Sequence, residues 1–204
     1  MKTRSKALVL TLCAVLLVVA TVMGTLAYLT STDSVTNTFT VGKVALTLDE
    51  AKVNPDGTEV ANADRVRANE YKLIPGHSYT KDPTVHVDAA SEDSYIFVKV
   101  ENGISALEAA KVENGYQPIA DQITANGWTV LDGVAGVYYK TYTNGQQEKD
   151  MKVFENFKIA DNANAADTWN GITAENTKIT VTAYAVQKDG FTDAKAAWEA
   201  AKFN

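Results

Sequence analysis

The placement of glycine constrains this chain more than any other feature. Of its 12 glycines, five follow asparagine (Gly103, Gly115, Gly127, Gly145, Gly171) and three follow aspartate (Gly57, Gly133, Gly190). Asn-Gly and Asp-Gly supply the positive φ that tight reversals need, so they cut the chain into short segments. Several of those segments alternate. Val44, Leu46 and Leu48 interleave with Ala45 and Thr47; Ile96, Val98 and Val100 with Phe97, Lys99 and Glu101; Ile179, Val181, Ala183 and Ala185 with Thr180, Thr182 and Tyr184. A period of two sets one face on a core and the other toward solvent, as in antiparallel sheets. Further strands are expected at 79–88, 128–132, 136–142 and 151–159. The fold class this predicts is all-β, a jelly-roll-like antiparallel β-sandwich over residues 41–190 with short helical inserts.

Two segments read as helix. Ser105–Glu113 is opened by Ser105 as cap and stopped at Asn114-Gly115. Within 191–204, Thr192 can cap a helix whose apolar stripe is Ala194, Ala197, Trp198 and Ala201. Trp198 is expected to anchor that helix on the sandwich. The polar, turn-rich stretches 50–70 and 161–170 read as surface loops.

The N-terminus has a different character. Lys2, Arg4 and Lys6 precede an almost wholly apolar run from Ala7 to Ala27, and no further charge occurs until Asp33. A positive n-region, an apolar h-region and a small-x-small exit at Thr25-Leu26-Ala27 form the layout of a secretory signal. Residues 1–27 are therefore expected to be a signal peptide cut between Ala27 and Tyr28. The competing readings are a retained anchor, since about 20 apolar residues span a bilayer, and a buried core helix. As a cleaved signal or as a retained anchor, this run implies that the remaining chain works outside the cytoplasm, secreted or at the cell surface, and touches membrane only through an uncleaved signal.

Charge and cysteine narrow the class. The whole chain carries −6, and losing the three basic residues of the leader takes it to −9. An acidic surface argues against nucleic acid and anionic membranes as partners. Cys13, the single cysteine, lies within the h-region, and Leu12 before it does not fit a lipoprotein site. The rest of the chain has no thiol for a disulfide or a nucleophile.

Catalytic patterns are not found. His77 and His86 are nine residues apart rather than in the H-E-x-x-H spacing that brings two imidazoles to one zinc. Asp161-Asn162-Ala163-Asn164 places Ala163 where a calcium loop needs oxygen. There is no G-x-S-x-G and no phosphate-binding glycine loop. The expectation is a protein that is not an enzyme, with no cofactor and no metal. Tyr138, Tyr139 and Tyr142 read as sheet packing, with Tyr139 on the opposite face from the other two.

The segment behind the leader carries more. Residues 28–41 read YLTSTDSVTNTFTV, β-prone, free of proline and charged only at Asp33. Residues 28–40 are thus a candidate extended segment, with Tyr28, Leu29, Val35 and Phe39 as its apolar contacts. It can fold as an edge strand onto its own domain, or add to the open edge of a neighbouring copy. Head-to-tail addition does not close, so it builds filaments.

Ala27-Tyr28-Leu29-Thr30 through Asp33, then Asn37-x-Phe39-x-x-Gly42 leading into Val44-x-Leu46-x-Leu48, resembles the N-terminal signature of the TasA, CalY and camelysin family. Leu73-Ile74-Pro75-Gly76 with Thr80-Lys81-Asp82, Tyr95–Val100 and Ala183–Gln187 are similar to later family segments. The resemblance implies export by a Gram-positive bacterium, processing by a signal peptidase of SipW type, and a jelly-roll sandwich. It further implies assembly into biofilm-matrix fibres, alone or with other matrix proteins, in which residues 28–39 of one subunit complete the sheet of the next. Pro75-Gly76 would be a structural turn. The metalloprotease activity attributed to camelysin is not carried over, because the zinc motif is missing. It and a monomeric surface adhesin remain the alternative readings.

Overall fold

A computed structural model describes residues 6, 11–17, 43–161, 173 and 177–203. Residues 11–17 form a helix, α1, and the chain divides into a first unit, Met1–Val41, and a second, Gly42–Asn204. In the first unit Leu12, Val15, Leu16 and Leu17 are each more than half exposed. Among the described residues, no helix is long and apolar enough to cross a membrane.

The second unit is built from antiparallel sheets, in keeping with the all-β expectation. Its strands are β1 (Leu46–Asp49), β2 (Ser78–Thr80), β3 (Thr84–Val87), β4 (Ser94–Asn102), β5 (Thr129–Val130), β6 (Val137–Tyr142), β7 (Asp150–Lys152), β8 (Asn156–Lys158) and β9 (Ile179–Gln187). Two helices join them, α2 (Ile119–Ala125) and α3 (Ala194–Ala201). The sheets run β1-β3-β7, β2-β8 and β5-β6-β4-β9.

The inward side chains of the two larger sheets meet in one core. Val85, Val87 and Met151 from one sheet pack with Ile96, Val98, Val100 and Tyr142 from the other. Period-two alternation achieves this, because every second side chain of each strand points the same way. The small β2-β8 sheet closes one end with aromatics: Tyr79 and Phe157 stack with centroids 4.8 Å apart, and Tyr71 meets Phe157 edge-on at 5.2 Å. Gly57 packs against this group, and a Cβ there would lie 2.7 Å from the Tyr79 Cα. Gly136 is held equally tightly, with φ of 71° and the Val100 carbonyl oxygen 2.7 Å from where a Cβ would be. Both positions need glycine for space as well as for the turn.

Several expectations need correction. Ser105–Glu113 is not a helix but a run of turns followed by extended chain. Glu108 forms a bridge with Ile159, and its carboxylate accepts from Asn102 Nδ2 (3.0 Å), the Tyr116 hydroxyl (2.6 Å) and the Ile119 N–H (2.7 Å). These tertiary bonds satisfy the segment better than a short isolated helix could. The helix lies further on, at α2, which starts after Pro118 and buries Ile119 and Ile123, one turn apart on one face. The expected strand 79–88 is split between β2 and β3 by Lys81-Asp82-Pro83, since proline cannot donate to a ladder. The span 151–159 is likewise divided between β7 and β8.

The face of β4 expected to be solvated is so only at Lys99 and Glu101; its first half is buried. Ile96, Val98 and Val100 enter the main core, while Tyr95 and Phe97 enter a second cluster under α3. That helix is capped by Asp193, whose Oδ1 accepts from the Ala196 N–H at 2.8 Å, not by Thr192. Trp198 anchors it as expected, with its ring 5.2 Å from Phe97 and 5.5 Å from Tyr184. Tyr138 and Tyr142 belong to the main core and Tyr139 to the second cluster, the alternation expected of the tyrosine run. The 50–70 stretch is turn-rich but not wholly superficial, because Glu50, Ala51 and Val53 are buried.

Candidate functional site

Strand β9 occupies one end of its sheet, hydrogen-bonded to β4 along its whole length from Ile179↔Asn102 to Gln187↔Ser94. Among the described residues, its other side pairs with nothing. The sequence ITVTAYAVQ holds no charge, proline or glycine. Proteins ordinarily blunt such edges with lysine, proline or a bulge, because a long flat edge templates pairing with another chain. Here Lys178 and Lys188 flank the strand and none interrupts it. Most of β9 is half-buried, against full burial over much of β4 beside it.

A cleft of about 970 Å³ opens next to this edge. Ile179, Val181 and Ala183 of β9 form one wall and Leu46 and Leu48 of β1 another, with Tyr71 and Leu73 between. Strand β1 also ends its own sheet. At their closest the Cα atoms of β1 and β9 come within 8 Å of each other. A strand bonded to both edges would need about twice the 4.8 Å strand spacing. Where β1 and β9 come closest no strand fits between them, so an added strand would pair with β9 beyond that approach; β9 is the longer edge and the less charged. Tyr71 is held in place by its hydroxyl, which donates to the Thr80 carbonyl at 3.0 Å. Burial, with Glu50 and Asp82 nearby, pushes its pKa well above the usual tyrosine value.

A charged cluster covers the outer face of the β1-β3-β7 sheet. His86 Nδ1 lies 2.7 Å from Asp150 Oδ1 and Nε2 lies 2.9 Å from Asp49 Oδ1, so one imidazole ties all three strands. Burial alone would lower its pKa; hydrogen bonds to Asp150 and Asp49 and their charges outweigh that and raise it above 6.5. Arg65 holds Asp49 through Nε, Asp82 Oδ2 through Nη1 at 2.9 Å, and the Asp82 carbonyl and Thr84 Oγ1 through Nη2 at 3.0 and 3.1 Å. Asp49 is consequently lowered, its burial being outweighed by hydrogen bonds to Arg65 and His86. Among the described residues, no group of three or more His, Cys, Asp or Glu side chains is placed to hold a metal ion.

The expected assembly and processing residues, Thr25, Ala27, Tyr28, Leu29, Val35 and Phe39, lie outside the described residues, as do residues 162–170. Sequence reasoning missed the Arg65 and His86 contacts and the place of β9 at the end of its sheet among the described residues. The one available signal was Lys81-Asp82-Pro83, two charges and a proline interrupting an expected strand. No protein family, curated protein or solved structure matches this chain.

Proposed function

We propose that this chain is an exported structural protein that assembles head to tail by strand addition, of the type the TasA, CalY and camelysin resemblance implies. The sheets are read as the halves of a jelly-roll-like sandwich, and residues 1–27 as a signal removed by a SipW-type peptidase. Its place is the biofilm matrix or surface of a Gram-positive cell. The observation that carries this reading is the uncharged, proline-free edge of β9, which has no partner among the described residues and borders a cleft walled in part by Leu46, Leu48, Val181 and Ala183. Residues 28–40 would supply a β-prone segment in which Tyr28, Leu29, Val35 and Phe39 are interspersed among hydroxyl side chains and one charge. Main-chain hydrogen bonds would give the affinity, and the cleft would take alternate side chains. Processing would gate assembly, because the segment is free to pair only after the leader is gone.

Deleting residues 28–39 from the processed protein is the direct test. Electron microscopy and light scattering should show a folded monomer where the complete protein forms filaments. Thr180→Lys, an exposed change on β9, should block assembly without unfolding the domain. Filaments that persist in both variants would refute strand addition at this edge.

A further inference from the structure

Beneath the cleft, Lys81 Nζ lies 2.6 Å from Glu50 Oε2, with both residues buried. The other oxygen of the same carboxylate, Oε1, accepts from Asn69 Nδ2 at 2.9 Å. Asn69 Nδ2 also donates to the Ala51 carbonyl at 2.8 Å, and Asn69 Oδ1 accepts the Val53 N–H at 3.0 Å. The Tyr71 ring faces the ammonium, with its centroid 5.9 Å from Nζ. An ordinary ion pair needs two residues. This one adds a carboxamide whose nitrogen shares the acid with the amine and whose oxygen is met by a fixed backbone donor.

That is the equipment of an amide exchange, with a nucleophile, a shared acid–base group, an acyl carbon and an oxyanion donor. We propose that Lys81 and Asn69 join in an intramolecular isopeptide bond, formed by Glu50 with release of ammonia. Glu50 takes one proton from the Lys81 ammonium, and the freed lone pair attacks Asn69 Cγ. The carbonyl π pair moves onto Oδ1, where the Val53 N–H holds it. Glu50 passes its proton to Nδ2 and takes a second from Nζ. The pair on Oδ1 returns, the Cγ–Nδ2 bond breaks, and ammonia leaves. One ammonium, one carboxylate and one primary amide become a secondary amide, a carboxylic acid and ammonia. No oxidant or other reactant is needed. Two buried charges disappear in the process, which removes the desolvation cost that a buried ion pair carries. The new link would tie the 50–70 region to the chain between β2 and β3, beside the cleft.

Tryptic mapping of the purified full chain by mass spectrometry tests this. Residues 68–72 should appear joined through Asn69 to residues 73–99 through Lys81, with no cleavage after Lys81 and a mass one ammonia below the sum. Glu50→Gln, close in shape to the native residue, should give the separate unlinked peptides. Peptides 73–81 and 82–99 released at full mass from the native chain would overturn the proposal. So would a branch that survives Glu50→Gln. Loss of ammonia at Asn69 that persists in Lys81→Met would overturn it too, since it would mark a succinimide rather than a crosslink.

Discussion

The four-stranded and three-stranded sheets share one core, yet their outer faces are stabilised by different physics. On the first, Tyr95, Phe97, Tyr139 and Tyr184 form an aromatic floor roofed by α3, with Trp198 and Phe203 pressed into it. On the second, Asp49, Arg65, Asp82, His86 and Asp150 form a layer of charge open to water on one side. Apolar burial is additive and indifferent to direction, so a single short helix is enough to cover the aromatic face. Charge pairing depends on geometry, and solvent screens it; each contact on the polar face contributes little alone. The aromatic face should therefore govern stability, and the charged face should govern how stability responds to solution conditions.

The sharpest way to break this contrast is Phe97→Ala. Phe97 is fully buried between β4 and α3, and truncation of a core phenylalanine costs about 3–5 kcal/mol. Urea denaturation should show a loss of that order. A loss below about 1 kcal/mol would mean that α3 is not packed as described. Arg65→Lys comes next. It keeps the charge but gives up the planar fork that reaches Asp49, Asp82 and Thr84 together. With the side chain about a third exposed, the cost should be about 1 kcal/mol and should shrink in high salt. A cost that salt leaves unchanged would point to packing instead.

The smallest effect sharpens the comparison through pH. Protonated His86 is favoured in the folded state, so its contribution is complete below pH 6.5 and fades as pH rises through the raised value. Thermal melts from pH 5.5 to 8.5 should show the native protein losing stability relative to His86→Gln across that window. Parallel curves would remove His86 as the source. Asp49 works in the opposite sense. Its pKa is lowered, so its contribution holds above the ordinary carboxylate value and is lost only as pH falls through the lowered one.

Much of the fold was legible because its signals are local. Alternation located β1, β4 and β9, and the stripe of Ala194, Ala197 and Trp198 located α3. Ser105–Glu113 was misread because helix propensity and a serine cap are weak beside the tertiary bonds that Glu108 makes to Asn102, Tyr116 and Ile119. The capping error at α3 is one residue, Asp193 for Thr192, the size expected when neighbouring residues can both cap. The burial of Tyr95 and Phe97 on the second face of β4 was hidden for another reason. A strand with Phe97 opposite Ile96 reads the same whether or not a helix covers the second face.

The candidate site was less visible still. An edge strand and a central strand can share one pattern; β4 and β9 differ in neighbours more than in composition. Glu50, Asn69 and Lys81 are separated by 31 positions at most, and only the turn of the 50–70 region against the end of β2 brings them to one carboxylate.

By itself, the sequence determined that this is a β-rich chain cut by Asn-Gly and Asp-Gly turns, with an apolar N-terminal run unlike the rest, because spacing and turn chemistry act between near neighbours. The tertiary structure alone decided which strand would end its sheet among the described residues and which charges would meet. Both depend on contacts between residues distant in the chain, and no local pattern encodes which distant partner arrives.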